Sequence, residues 1–162
     1  MHVESTRFDR FEVADEAVLS FPSGIIGFAG SRRYVLVAQR PDDLFVWLHS
    51  VDEPSVAFPL TDPWAFHPGY DLEIGDDDLA VLEPADRTDL SVFSVVAVGS
   101  DPAAATINLL APVVVNVGRK VGAQVLNRLG GEPRAPLFGQ LGDTAFEGEP
   151  TAAAAAVTVL PS

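Results

Sequence analysis

The chain has 162 residues, 48% of them apolar, with 23 acids against ten bases, no cysteine and a formal net charge of −13. That length suits one domain with a core of its own, and the apolar content argues against bulk disorder. The acidity argues against direct binding to a phosphate backbone. The missing thiols exclude disulfides, thiolate metal sites and cysteine nucleophiles, as fits a cytosolic protein.

The first stretch, "MHVESTRFDRFEV", is charged from the outset and has no apolar h-region, so no signal peptide is expected. Nor does any apolar run reach the roughly 18 residues of a membrane span. Gly24, Gly27 and Gly30 in "SGIIGFAG" do not fit the dinucleotide-binding spacing, and are read as shaping a turn between Phe21 and the next strand. That strand is expected over Arg33–Gln39, which is β-branched and aromatic, with a turn at Pro41–Asp43. In Leu44–Ser50, Leu44, Val46 and Leu48 share one face and Phe45, Trp47 and His49 the other. Both faces are bulky, so the strand should be covered on both sides. A third strand is expected over Ser55–Leu60, and the short turns make antiparallel hairpins the economical connection.

Tyr70–Ile74 alternates charged and apolar residues, as a half-exposed strand would. "GDDDLAVLEPAD" suggests one or two helical turns, capped by an aspartate and ended by Pro84. Leu90–Gly99 is a strong strand pattern, broken by "DPAAA". "TINLLAPVVVN" and "GAQVLN" follow as strands, with "VGRKV" as the turn between them. After Leu129 the chain turns rich in Gly, Pro and Ala, and a tail is expected from near Gly130 onward. The sum is an all-β domain with little helix, either a small antiparallel barrel or two packed sheets.

The residues carry no recognisable reaction. His2, His49 and His67 lack metal-ligand spacing, and no nucleophile-elbow or zinc-protease motif occurs. His49, beside Trp47, reads as a packed ring. Asp76, Asp77 and Asp78 do not keep the alternating rhythm of a calcium loop, and read as a solvated loop with a helix cap. An enzyme using His67 with Asp62 would need a motif not seen elsewhere. A small-ligand-binding barrel, with Trp47, His49 and Trp64 lining a cavity, is the main alternative reading.

Three blocks carry a resemblance. "FPSGIIGFAG" is similar to the F-x-x-G-(L/I)-x-G-F signature of the flagellar assembly factor FliW family, on Phe21, Gly24, Ile25, Gly27 and Phe28. The central "FVWLHSVDEPSVAF" resembles the family on Trp47, Leu48, Ser50, Ala57 and Phe58. "NLLAPVVVN" resembles its most specific string, from Asn108 through Pro112 to Asn116, and Gln124 falls in the segment that follows. The likeness covers roughly residues 1–138, which makes 1–138 the domain and 139–162 a Gly/Pro/Ala-rich mobile tail.

The resemblance implies a non-enzymatic, cofactor-free, cytoplasmic β-barrel-like protein. It would bind the basic translational regulator CsrA and flagellin, relieve CsrA repression of flagellin messenger RNA, and bind neither nucleic acid nor membrane directly. Two places are expected to make contact. One is the acidic stretch Asp71–Asp89, with eight acids against Arg87 alone, centred on Asp76, Asp77 and Asp78. The other is the loop bearing Trp64, Phe66 and Tyr70, together with residues near Asn108 and Asn116. The two asparagines interrupt an apolar run, so they are read first as polar pins on a buried segment and second as direct contacts.

Overall fold

The computed structural model describes residues 1–38 and 44–137, together with a short strand at 158–159. The N-terminal strands β1 (His2–Val3) and β2 (Phe11–Glu12) form a small hairpin. The main sheet then runs through β3 (Leu19–Ser20), β4 (Arg33–Ala38), β5 (Phe45–Ser50) and β6 (Ala57–Thr61). Two short helices follow, α1 (Pro63–Phe66) and α2 (Asp76–Leu82). The remaining strands are β7 (Leu90–Ala97), β8 (Thr106–Ile107), β9 (Val113–Asn116), β10 (Val121–Gln124), β11 (Ala135–Pro136) and β12 (Thr158–Val159).

The order β7-β6-β5-β4-β3-β10-β9 returns to β7, because β9 also pairs with β7, and this closes a seven-stranded barrel. Closure removes the free edges an open sheet would expose. Every pair in the ring is antiparallel except β3 with β10, which meet in parallel at Ser20 and Val121. β8 and β11 extend the ladder beyond the end of β7, through Val96 with Ile107 and Ile107 with Ala135. β12 lies antiparallel to the end of β4, at Val37 and Ala38.

The period of two decides what each strand buries. Phe21, Tyr34, Leu36, Leu48, Leu60, Val113 and Val115 fill the barrel. Val35, Val37 and Trp47 point the other way, into a second cluster roofed by Val3, Phe8, Phe11 and Val13 of the N-terminal segment. β4 and β5 are therefore covered on both faces, as expected for β5 from its two bulky faces, although Leu44 just before it stays exposed. β9 is likewise sandwiched, with Val114 packing outward against Leu82 of α2 and Val125. Phe21 presses on Gly122, where a Cβ would overlap the ring. Gly24 holds φ +69°, with the backbone of Ala29 too near for a side chain.

Several expectations are corrected. Tyr70–Ile74 forms no strand: its backbone is tied to Asn127 and Arg128 instead of to a ladder. The cap of α2 is Gly75, without a side-chain bond, and the aspartates fill the first turn. "TINLLAPVVVN" is two strands separated by a loop. The chain beyond Gly130 continues as packed structure, since Ala135 and Leu137 are buried against Ile107 and Leu109. The expected turn at 41–43 lies outside the described residues, as does the tail 139–162 apart from β12.

Candidate functional site

The string "NLLAP" occupies the gap between β8 and β9, which pair with the same edge of β7. β7 advances three residues there, from Val96 to Phe93, while the opposite chain takes six, from Ile107 to Val113. The surplus must loop out of the ladder, as in an extended bulge. Asn108 shapes that loop: its Oδ1 accepts the backbone N–H groups of Leu110 and Ala111, both at 3.0 Å. Pro112 has no N–H to satisfy. Every carbonyl from Leu109 to Pro112 finds a partner: the Tyr70 hydroxyl for Leu109, Asn127 N–H for Leu110, Gln124 Nε2 for Ala111 and Val125 N–H for Pro112.

Asn116 plays the same part at the other end of β9. It is buried, donates from Nδ2 to the Leu82 carbonyl at 2.9 Å, and accepts Arg119 N–H on Oδ1. It thereby fastens α2 to the barrel. Gln124 joins two of the sequence blocks, because its Oε1 accepts Ile26 N–H while its Nε2 reaches Ala111. These bonds define the inward work of Asn108 and Asn116, the first of the two sequence readings.

The residue that sequence reasoning missed is Asn127. Its side chain is buried and fully engaged: Nδ2 donates to the Asp71 carbonyl at 2.8 Å and to the Tyr70 hydroxyl, and Oδ1 accepts Glu73 N–H and Leu129 N–H, each at 3.0 Å. Its place in "QVLNRLGG" offered a signal, a polar amide two residues beyond buried Val125 and before a Gly pair. Asn127 carries the acidic segment as a fixed ledge. Above it Asp71, Glu73, Asp76 and Asp77 stand in solvent, and Asp78 is half-buried. Asp77 and Asp78 form one wall of a surface groove of roughly 450 Å³, with Leu110, Leu126 and Arg128 around the rest. Arg128 pairs with Glu73 across 3.6 Å. The aspartates do not converge on a cation: among the described residues no cluster of His, Asp and Glu is placed to hold a metal.

Trp64, Phe66 and Tyr70 come together on and beside the cluster around β8 and β11. Trp64 is 38% exposed, tilts against Tyr70 at 5.4 Å between rings, and donates its indole N–H to the Tyr70 carbonyl. Phe66 packs on Phe45, and with Tyr70 it leans on the cluster around Ile107 and Leu137. Burial pushes the Tyr70 hydroxyl above its ordinary pKa. Trp64 thus presents one face outward while Phe66 and Tyr70 pack inward on the cluster built around β8 and β11.

The cavity and enzyme readings find no assembly. Trp47 and His49 sit beneath Phe8 and Phe11, in a different cluster from Trp64. His49 donates from Nδ1 to the Ser50 carbonyl at 2.7 Å, so in the neutral ring Nε2 accepts the Ser5 hydroxyl, also at 2.7 Å. Burial holds its pKa below the ordinary value. His67 donates to the Pro136 carbonyl and Asp62 caps α1 at Trp64 N–H, so the two are spent on different backbone partners.

The closed barrel, in which Gln124 ties the first and third sequence blocks together, has counterparts among known proteins. The FliW protein family model matches residues 2–135. The chain belongs to the FliW family. It is 36% identical over 142 residues to the flagellar assembly factor FliW of Bdellovibrio bacteriovorus, covering 87% of this chain and 81% of that one. It is 34% identical over 126 residues to the factor of the same name from Syntrophus aciditrophicus, covering 78% and 80%. A crystal structure of the flagellar assembly factor FliW superimposes with a TM-score of 0.79 at 26% identity, over 86% of this chain and 99% of that one. The strands that close the sheet through β9 and the loop at Asn108 both lie inside the matched span. Among the described residues no helix is long and apolar enough to cross a membrane.

Proposed function

We propose that this chain is a non-enzymatic flagellar assembly factor that binds the translational regulator CsrA and flagellin in the cytoplasm. By holding CsrA it lifts repression of flagellin messenger RNA, and by binding flagellin it is itself withdrawn, so that synthesis follows export. The observation that carries this reading is the family match across nearly the whole described barrel. The electrostatics support it. The protein carries −13 in formal charge, and Asp71, Glu73, Asp76 and Asp77 stand in solvent on the ledge that Asn127 holds, with Asp78 half-buried beside them. Such a field attracts a basic partner, speeds the encounter and repels RNA.

Contact with the basic partner is assigned to Asp76, Asp77 and Asp78, and the outer face of Trp64 is the candidate anchor beside them. Asn108 and Asn116 serve the surface from inside by fixing its backbone. Capture of purified CsrA and flagellin by the immobilised full chain, with and without a flagellin messenger RNA leader, tests the reading. Both proteins should be retained, and RNA should leave CsrA as this chain is added. Failure to retain CsrA at low salt would sink the proposal.

A further inference from the structure

The groove beneath α2 has two features that do not belong together on an inert surface. Leu126 is 61% exposed at its wall, and Leu129, in the turn that follows, is 59% exposed. Asp77 and Asp78 line the same groove as Leu126, and Glu73 pairs with its Arg128. Adjacent exposed leucines rimmed by charge mark surfaces that meet another molecule. The rim decides which kind. A purely apolar partner would desolvate the aspartates without pairing them, which is costly. An anionic partner, RNA included, would be repelled. The cation on the wall, Arg128, is already paired with Glu73. The groove is also built in advance, because Asn127, which lines it, donates its N–H to the carbonyl of Leu110, a second lining residue, and its side chain is held by Asp71, Glu73 and Leu129. A site held in its bound shape loses little conformational freedom on binding.

We infer that this groove seats an amphipathic cationic segment of a protein partner, its apolar side chains on Leu110 and Leu126 and its Lys or Arg groups against Asp77 and Asp78. The inference rests on the reading above that the acidic ledge faces the basic partner, and adds that apolar contact, not charge alone, fixes where that partner lies. Helix-in-groove recognition has this chemistry.

The test uses the full chain and a fluorescein-labelled Leu/Lys amphipathic peptide of about 14 residues, close to four helical turns, with a Leu/Glu peptide of the same length beside it. Anisotropy should show binding of the Leu/Lys peptide only. Leu126→Ser should weaken it by about fivefold or more, the loss of one anchoring contact. Asp77→Asn with Asp78→Asn should weaken it and flatten its salt dependence. Leu44→Ser should change nothing, since Leu44 is equally exposed (59%) but does not line the groove. Unaltered binding in Leu126→Ser would mean diffuse charge attraction and would overturn the inference, as would equal binding of the Leu/Glu peptide. The same variants against CsrA separate the two levels. Equal capture of CsrA by wild type and Leu126→Ser removes the groove and leaves the CsrA reading standing. No capture of CsrA, with the Leu/Lys peptide still seated at Leu126, removes the CsrA reading and leaves the groove.

Discussion

The loop Asn108–Pro112 and the segment Asp71–Asp78 touch through Tyr70 and Asn127, yet they treat polar groups in opposite ways. In the loop, amide and carbonyl groups are turned inward and tied to named partners. In the segment, the backbone is tied just as firmly but the carboxylates are left in water. One region is scaffold and the other is surface. The first belongs to the string most specific to the family resemblance, and the residues with charge to offer a partner are in the second.

The contrast breaks most severely at Asn127, which belongs to both. Asn127→Ala leaves the Asp71 carbonyl and the Glu73 and Leu129 N–H groups without their bonds, and should cost about 2 kcal/mol in urea unfolding, since a buried orphan costs roughly 1–3 kcal/mol and these part-buried groups are within reach of water. Asn127→Asp should cost nearly as much, because it loses the donors to Asp71 and Tyr70. Asn108 makes the opposite prediction. Its bonds to Leu110 and Ala111 use only the oxygen, so Asn108→Asp should stay within about 0.5 kcal/mol of wild type while Asn108→Ala loses about 1 kcal/mol, the worth of a comparable cap. Equal losses for both Asn108 variants would show that the loop is not held by that oxygen.

His49 extends the comparison to pH, as another polar group turned inward. Its folded-state pKa is lowered by burial, so the unfolded chain takes up the proton first. The stability tied to the neutral ring is complete above the ordinary value of about 6.5 and is lost as pH falls through it toward the lowered folded value, at no more than about 1.4 kcal/mol per pH unit. His49→Gln should lose this contribution, so the stability gap between it and wild type should narrow from pH 7 to about pH 5. A gap that stays constant over that range would mean the ring does not titrate with unfolding.

Much of the barrel could be read in advance because alternation is a local signal. Leu44–Ser50 declared two bulky faces, and the structure covers both from Val46 onward, leaving Leu44 exposed just before the strand. What could not be read was long-range pairing. "TINLLAPVVVN" has the composition of one strand, and only the register of β7 shows that its middle must leave the ladder. Tyr70–Ile74 alternates like a strand but runs beside Asn127, whose amide supplies the bonds a neighbouring strand would have given. The same limit hid the groove, since Leu126 and Asp77 lie far apart in sequence and meet only through the pinned turn.

A small expected change in stability is also the sharpest division between the two regions. Asp76, Asp77 and Asp78 occupy the first turn of α2. There they gain from the helix dipole, by about 0.3–1 kcal/mol each at most, and lose by mutual repulsion. Replacing all three with asparagine should therefore leave the unfolding midpoint nearly unmoved, within about 1 kcal/mol, because no buried bond is broken. Association with a basic partner should slow, and its rate should become less sensitive to salt, since steering depends on exactly the charges removed. A stability loss well beyond that bound would place the aspartates in the scaffold alongside Asn127. An unchanged association rate would strip the surface of its assigned work.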